Sequence, residues 1–339
     1  MNKSVLFGAL AFAGLAAAGA SAATLDDIKA RGSLNCGVNT GVPGFAEPDA
    51  NGEWQGFDVA ICRAVAAAVL GDPTAITFIS TTGKTRFTAL ASGEIDMLAR
   101  NTTWTFSRDT DLKFDFVGVN YYDGQGFIVP KALGVSSAAE LDGATICIQT
   151  GTTTELNLAD YFRVNNMSYE PVPIETEAEA RTQLLAGACD VYTTDASALA
   201  AVRVTYPAPD DFVILPEIIS KEPLGPVVRH GDSEWGDIVR WTYYALVAAE
   251  QYGVTQENVE QLAAAPGDNP EVNRMLGTEG ELGAMIGLGN TWAKDAIAAV
   301  GNYGEIFARN IGEDTPVQLA RGLNALYTDG GLQYAPPFR

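Results

Sequence analysis

Two charged side chains, Arg108 and Asp195, follow segments of the chain that are predicted to be strand ends. The planar guanidinium of Arg108 can hold a carboxylate through two parallel hydrogen bonds. The carboxylate of Asp195 can accept hydrogen bonds from an ammonium group, with the hydroxyls of Thr193 and Thr194 beside it. Each residue also has an ordinary explanation, because Arg108 can pair with the adjacent Asp109 and aspartate is common in turns. If the two side chains meet, they could bind both charges of a zwitterion.

A pattern that occurs twice places these residues in corresponding units. Its first half, residues 32–41, recurs loosely at 143–151, and each copy predicts a short strand followed by a Thr-Gly turn. Its second half, residues 90–98, matches residues 184–192 and predicts a helix, a glycine stop and a strand. The chain therefore contains two similar α/β units.

Polar loops follow the second half of each unit. The first loop contains Asn101, Thr103 and Trp104 and leads to Arg108, and the second ends at Asp195. Ligands of α/β units collect at the carboxyl ends of the strands. We therefore predict that these two loops line a ligand cleft.

A helix is predicted to start at the carboxyl end of the first strand of the second unit, on the side of the predicted cleft. Thr152-x-x-Glu155 is a capping box directly after the turn at Thr150 and Gly151. The first backbone N–H groups of a helix are unpaired and carry partial positive charge, which suits a carboxylate. Helix capping alone also explains this motif.

Aromatic residues near the predicted cleft could stack on the apolar part of a ligand. Most buried aromatic residues belong simply to the core, so this role stays open. The residues are Phe45, Trp54, Trp104, Tyr121 and Tyr122.

Composition argues against several classes of function. The chain has 42 acidic and 21 basic residues, a formal charge of −21, so we expect no nucleic-acid partner and a soluble monomer. His230 is the only histidine, and neither Gly-x-Ser-x-Gly nor Cys-x-x-Cys occurs, so we predict no catalytic residue, metal site or cofactor. The four cysteines allow three disulfide pairings.

The first 22 residues have the features of a secretory signal peptide. Lys3 precedes an apolar stretch and small residues that end at Ala22, after which we predict cleavage. No later window is long and apolar enough for a transmembrane helix. About 317 residues remain, more than one hydrophobic core usually serves, so two lobes are expected.

The predicted lobe limits follow from the repeat. Lobe 1 should comprise residues 23–125, lobe 2 residues 126–224, and residues 225–339 should return to lobe 1 and form a helical C-terminal extension. The apolar segments 126–129 and 225–228 are the candidate crossings between lobes. Helices are predicted at 58–70, from Ser233 to about 251, and near 256–264 and 291–310.

Eight motifs together resemble those of the periplasmic substrate-binding proteins of polar and general L-amino-acid ABC importers, solute-binding protein family 3. They extend over the mature chain. They lie at residues 36–45, 56–59, 86–90, 100–109, 121–126, 151–157, 190–195 and 219–225.

The resemblance implies an α/β architecture, the type II periplasmic-binding fold, in which two α/β lobes joined by two crossover strands close on a ligand in the cleft between them. It implies that an inner-membrane ABC permease complex is the partner and a free L-amino acid the ligand. About a hundred residues follow the second crossing, as in the broad-specificity subgroup. The alternative is a periplasmic enzyme on the same fold, similar to a prephenate or arogenate dehydratase.

Site residues and disulfides are also implied by the resemblance. Arg108 would bind the ligand α-carboxylate with the backbone of Thr152 and Thr153. Asp195 would bind the α-ammonium group with Thr103 and the carbonyl of Asn101, and Phe45 would flank the ligand side chain. The implied disulfides are Cys36–Cys62 and Cys147–Cys189, one within each lobe, and a bond between lobes would oppose closure.

Overall fold

The computed structural model of the protein describes residues 24–339. The predicted signal peptide and its cleavage site after Ala22 lie outside the described residues. Two α/β lobes, each built on a five-stranded sheet, make up the described chain.

The first part of lobe 1 contains four helices and six strands. In chain order they are α1 Thr24–Arg31, β1 Leu34–Val38, β2 Glu47–Pro48, β3 Trp54–Gln55, α2 Phe57–Leu70, β4 Ile76–Ser80, α3 Arg86–Ser92, β5 Met97–Leu98, α4 Phe106–Thr110 and β6 Phe114–Phe116. The predicted helix 58–70 is confirmed as α2, which ends at Gly71 because a glycine accepts the left-handed φ of 70° there.

Lobe 2 and the two crossings come next. Their elements are β7 Tyr121–Asp123, β8 Gln125–Pro130, β9 Ala144–Gln149, α5 Thr153–Val164, β10 Tyr169–Ile174, α6 Glu177–Leu185, β11 Val191–Asp195, α7 Ala196–Arg203, β12 Phe212–Ile214 and β13 Glu222–Leu224.

The return segment adds one strand and six helices to lobe 1. They are β14 Val227–Arg229, α8 Ser233–Gln251, α9 Val259–Ala264, α10 Pro270–Met275, α11 Leu282–Met285, α12 Trp292–Val300 and α13 Tyr303–Asn310. The helix predicted near 291–310 is two helices, because Gly301 has a φ of 81° and a β-like ψ that interrupt the helical path. Helix α8 has the predicted bounds, but its N-cap is Asp232 rather than Ser233.

The two sheets repeat one topology. In lobe 1 the strand order is β4-β1-β5-β14-β6, with β1 parallel to both β4 and β5. In lobe 2 the order is β10-β9-β11-β8-β12, with β9 parallel to both β10 and β11. The predicted duplication is thus present as two equivalent parallel cores, whose carboxyl ends face the space between the lobes.

The lobes are joined by an antiparallel two-stranded ribbon. Strand β7 pairs with β13, with Tyr122 opposite Pro223. The segments 126–129 and 225–228, expected as the crossings, belong to the sheets instead: β8 pairs with β11 and β12, and β14 pairs with β5 and β6. They are apolar because they are interior strands, whereas the true crossings precede each of them by a few residues.

The C-terminal extension packs on lobe 1 and holds the ribbon. Helix α12 lies along α2, with Ala293, Ala296 and Ile297 fully buried. Near the chain end, Asn324 accepts a hydrogen bond from the N–H of Tyr122 at 2.7 Å and donates one to its carbonyl at 3.2 Å. The side-chain amide thereby satisfies the outer edge of strand β7 as a neighbouring strand would.

Each lobe contains one disulfide. Cys36 on β1 is bonded to Cys62 on α2, and Cys147 on β9 is bonded to Cys189 just before β11. This is the pairing that the family resemblance implies. Neither bond crosses the cleft, so neither restrains relative movement of the lobes. Among the helices within residues 24–339, none combines the length and apolarity required to cross a membrane.

Replacing the buried Asn324 with alanine is expected to lower the free energy of unfolding by about 1–3 kcal/mol, because the backbone N–H and C=O of Tyr122 lose their hydrogen-bond partner. Chemical denaturation measures this change. Asn51→Ala is the matched control, since Asn51 is exposed and bonds only to Asp49. Equal stabilities of the two variants would contradict the role given to Asn324.

Candidate functional site

A cavity lies between the lobes at the carboxyl ends of their parallel strands. Both lobes supply its walls, and the lining is almost entirely polar. Lobe 1 contributes Asn39, Arg86, Arg100, Asn101 and Thr103, and lobe 2 contributes Gln149, Thr152, Thr153, Thr154, Glu177, Thr194, Asp195 and Ala198.

The arrangement of helices and strands explains why these residues meet. Asn39 directly follows β1, Arg86 begins α3 after β4, and Glu177 begins α6 after β10. In each case the chain passes from the carboxyl end of a strand into a loop or a helix start, which is where α/β folds expose polar side chains to ligands.

Two arginines from lobe 1 line the cavity and are 2% and 3% exposed. The guanidinium of Arg86 lies over the ring of Phe87 and makes long contacts of 3.5 Å with Thr102 Oγ1 and Gly151 O. The Nε of Arg100 donates to the carbonyl of Thr81 at 2.9 Å. Burial lowers the pKa of both arginines, most strongly that of Arg86, where the nearby Arg108 and Arg100 add to the effect.

Asp195 supplies the opposite charge from lobe 2. Its carboxyl group is buried at the end of β11, and within the described chain no hydrogen bond to its side-chain oxygens is present. Burial, and then the neighbouring carboxylates of Asp123 and Glu222, raise the pKa of Asp195 well above its usual value, although Arg86 and Arg108 oppose the shift. Burial also raises the pKa of Asp123 to about 6. A cation placed here would relieve these repulsions.

Arg108 lies beside the cavity rather than on its lining. Its Nη1 donates to the carbonyl of Thr103 at 2.8 Å, and its guanidinium packs over the ring of Phe87. Burial lowers the pKa of Arg108 to about 10, while Glu222 and Asp195 oppose the shift. Its guanidinium therefore remains charged at neutral pH at the edge of the site.

Glu222, on crossover strand β13, links the two lobes at this end of the cavity. Its buried carboxylate accepts hydrogen bonds from Thr103 of lobe 1 at 2.5 Å and from Thr153 of lobe 2 at 2.9 Å. Asn157 and Ser220 donate to its other oxygen, each at 2.6 Å. All four donors are neutral hydroxyl or amide groups, and they come from both lobes and from the segment before β13.

Asn101 has a strained backbone at the cavity wall. Its φ of 38° is a left-handed conformation that asparagine tolerates better than most residues. Its N–H donates to Asp58 at 3.2 Å, and burial raises the pKa of that carboxyl to about 7. Both polar side-chain atoms of Asn101 are buried and find no partner in residues 24–339.

The structure brings together some of the residues predicted from the sequence and not others. Asn101, Thr103, Thr152, Thr153 and Asp195 line the cavity, and Arg108 adjoins it.

Three predicted aromatic residues lie away from the cavity lining. Phe45 is fully buried in the core of lobe 1, edge-on to Phe57 and Tyr121. Trp104 is 41% exposed and stacks on Phe116, because its loop turns outward before α4. Tyr122 is part of the interlobe ribbon. None of the three side chains contacts the cavity in this closed arrangement.

Sequence reasoning missed several charged residues of the site. Arg86 and Arg100 stand in motifs that carried the family resemblance, and their positions at the start of α3 and just after β5 were the available signal. The sequence signal for Glu177 was weaker, because it consists only of being the first residue of a helix that follows a strand. Glu222 stands in the motif at residues 219–225, but its role in the site depends on donors from distant parts of the chain.

The lobes touch across the cleft, so the structure is closed. Gly83 of lobe 1 lies so near lobe 2 that a Cβ atom placed on it would be 2.7 Å from the carbonyl oxygen of Thr150. Lys84 pairs with Glu175 at 2.9 Å, and Asn39 donates to Glu177 at 3.4 Å. Two glycine backbones, at Gly83 and Gly151, thus allow a contact that side chains would prevent.

Other chemistry finds little support in the described part of the chain. No group of three or more His, Cys, Asp and Glu side chains is arranged to hold a metal ion within residues 24–339. The imidazole of His230 pairs with Asp115 at 3.0 Å on the surface of lobe 1 and does not line the cavity. The cavity is therefore a charged binding site without an imidazole.

Comparisons with known proteins agree with this geometry. The chain is 67% identical over 339 residues, covering 100% of both chains, to the glutamate/glutamine/aspartate/asparagine-binding protein BztA of Rhodobacter capsulatus. It is 58% identical, again over 100% of both, to the general L-amino acid-binding periplasmic protein AapJ of Rhizobium johnstonii. These relatives are named as binding proteins rather than enzymes.

A solved structure and a family model extend the comparison. The structure described as an ABC transporter/periplasmic binding protein from Brucella ovis with glutathione bound is 57% identical, with a TM-score of 0.91, and the match covers 94% of this chain and 100% of that one. The model of the bacterial extracellular solute-binding proteins, family 3, matches residues 34–259. With a two-lobed α/β fold, a charged interlobe cavity and these matches, the chain belongs to the bacterial extracellular solute-binding proteins, family 3.

Proposed function

We propose that this protein captures free L-amino acids in the periplasm and delivers them to an inner-membrane ABC permease complex, after its signal peptide is removed following Ala22. The observation that carries the proposal is a closed polar cavity that brings guanidinium groups of lobe 1 to a buried carboxylate of lobe 2. The names of its relatives, which include amino-acid-binding proteins of transporters, support it. The formal charge of −21 favours a monomer.

The two charges of the amino acid determine how it is held. The α-ammonium group lies against Asp195, whose carboxylate lacks a protein partner, with the hydroxyl of Thr103 and the carbonyl of Asn101 nearby. The α-carboxylate lies between Arg108 and the start of helix α5, where the first N–H groups have no intrahelical acceptor. Because the anchors come from both lobes, one ligand stabilises the closed state.

An enzyme on this fold would need an acid or base that is free to act in the cleft. In the proposed pose the carboxylate of Asp195 pairs with the ligand ammonium group, so it is not available to transfer a proton. Relatives that are named as binding proteins also favour capture over catalysis.

Titration calorimetry with a panel of L-amino acids is expected to show one tight site. Arg108→Ala should weaken binding of every ligand about 30-fold or more, because a buried charge loses its partner. An amino-acid methyl ester, which lacks the carboxylate charge, should bind the unmodified protein much more weakly than the free acid.

The matched control for this titration is Arg163→Ala, which removes an arginine from an exposed ion pair with Asp160 and should bind normally. Absence of heat with all amino acids would overturn the proposed function. Full binding by Arg108→Ala would remove only Arg108 from its assigned role.

Affinity for L-glutamine is expected to fall as the pH is lowered. Asp195 has a raised pKa, so the free protein binds a proton there on acidification, and the ligand ammonium group must displace it. Binding should therefore release protons, increasingly so at lower pH. Calorimetry in buffers of different ionisation enthalpy measures the release, and pH-independent binding without proton release would contradict this pairing.

Gly83→Ala is expected to weaken L-glutamine binding several-fold without lowering the melting temperature of the unliganded protein. The new methyl group would meet the carbonyl of Thr150 only when the lobes close. Gly267→Ala is the control, since a Cβ there has no neighbour within 4 Å in the described chain. Unchanged affinity in Gly83→Ala would mean that this closed contact does not accompany binding.

A further inference from the structure

The cavity contains polar groups that the α-carboxylate and α-ammonium anchors do not use. Three of its side chains, at most 4% exposed, each have a buried atom without a hydrogen-bond partner in residues 24–339: Arg86 Nε, Arg100 Nη2 and Glu177 Oε2. Leaving a buried donor or acceptor unpaired destabilises the folded protein, and a charged group costs more than a neutral one. Three such atoms around one cavity indicate that a ligand completes them.

Arg100 and Glu177 are neighbours on the cavity wall, and Arg86 lies between them and Arg108, because the guanidinium groups of Arg86 and Arg108 pack over the same ring of Phe87. The side of the cavity next to the interlobe ribbon is formed by Thr103 and Thr153, which both donate to Glu222, and by Arg108 beside them. Arg86 reaches toward lobe 2 at Gly151.

Arg100 is held in place by lobe 1 and lies beside Glu177 of lobe 2. Its Nε donates to the carbonyl of Thr81 in the loop after β4, and Glu177 is the charge that most strongly favours the ionised form of Arg100. Glu177 in turn accepts a hydrogen bond from Asn39, across the cleft. A ligand whose α-groups lie near Arg108 and Asp195 would therefore extend its side chain past Arg86 toward Arg100 and Glu177.

We propose that Arg86, Arg100 and Glu177 form a side-chain subsite that binds the terminal carboxylate or carboxamide of an acidic or amide amino acid. This inference rests on the proposed function and assigns residues to the selection among amino acids. The two guanidinium groups donate to the carbonyl or carboxylate oxygens of the ligand side chain, and Glu177 accepts from the NH₂ group of a carboxamide.

The combination of donors and an acceptor explains how one pocket can take both ligand types. A carboxamide matches it completely, with its oxygen on an arginine and its nitrogen on Glu177. A carboxylate gains charge-assisted hydrogen bonds from two arginines but meets the like charge of Glu177. An aliphatic side chain would leave all three groups unpaired, which a polar site penalises strongly.

The neighbouring residues hold the subsite in place. The Nε bond to Thr81 fixes the guanidinium of Arg100, and the ring of Phe87 supports that of Arg86. The position of Glu177 as the first residue of α6, after the N-cap Thr176, fixes its backbone. A rigid subsite favours discrimination because little side-chain ordering is needed on binding.

Calorimetric titration of three ligands into four variants tests the assignment. The ligands are L-glutamate, L-glutamine and L-alanine, the last of which carries the α-groups alone. The variants are Glu177→Gln, Arg100→Met, Arg86→Met and the control Glu170→Gln, which changes an exposed glutamate of strand β10.

Glu177→Gln, which preserves the size of the side chain, should shift the ratio of glutamate to glutamine affinity by about 10-fold towards glutamate, because the repulsion of a carboxylate is removed and the charged acceptor for an amide is replaced by a weaker, neutral one. Arg100→Met and Arg86→Met should each weaken glutamate binding by about 10-fold or more relative to alanine binding. Glu170→Gln should leave all three affinities unchanged.

The possible results separate this inference from the proposed function. If the unmodified protein binds none of the three ligands, the proposed function fails. If binding depends on Arg108 and Asp195 but Glu177→Gln leaves the glutamate-to-glutamine ratio unchanged, the subsite assignment fails alone. Equal weakening of all three ligands by the arginine variants also overturns it, since Arg86 and Arg100 would then hold the α-groups. Should an arginine variant not fold, Glu177→Gln decides.

Discussion

The structure depends most on the compensation of charges that are buried between the lobes. Removing a guanidinium or a carboxylate from water is costly unless an opposite charge and hydrogen bonds replace the solvent. Lobe 1 brings Arg86 and Arg100 to the cavity, and lobe 2 brings Asp195 and Glu177. Each set alone would face water in an open cleft. Closure exchanges that water for the opposing set, and in the proposed pose a zwitterionic ligand would complete the pairing.

The interlobe ribbon connects the compensation of buried charges to the relative movement of the two lobes. Glu222 lies on the ribbon and accepts hydrogen bonds from Thr103 of lobe 1 and Thr153 of lobe 2. A residue outside both five-stranded sheets therefore binds the two lobes together in the closed state. On its other edge the ribbon is held by Asn324 from the C-terminal extension. The extension thus stabilises lobe 1 through α12 and also supports the strand about which the lobes would turn.

The duplicated α/β unit explains why the site forms at this place. In each lobe a central strand is parallel to its two neighbours, so three strand ends per lobe deliver loops or helix starts to the same edge. Asn101 and Asp195 occupy such ends in opposite lobes. The disulfides, Cys36–Cys62 and Cys147–Cys189, each stay within one unit, so the units are rigid while their relative position is free to change.

The sequence by itself determined the two α/β units, most of the long helices and the placement of Asp195 at a strand end and of Arg108 just after a strand-end loop, because hydrophobic periodicity and glycine stops are local signals. Only the tertiary structure decided which charges meet. Glu222 belongs to the site because hydrogen-bond donors from both lobes reach its carboxylate. Phe45, which was expected to flank the ligand, is buried in the core of lobe 1 instead. The crossings were misplaced by a few residues because an interior strand and a crossing strand look alike in a linear pattern, and only pairing across the sheet distinguishes them.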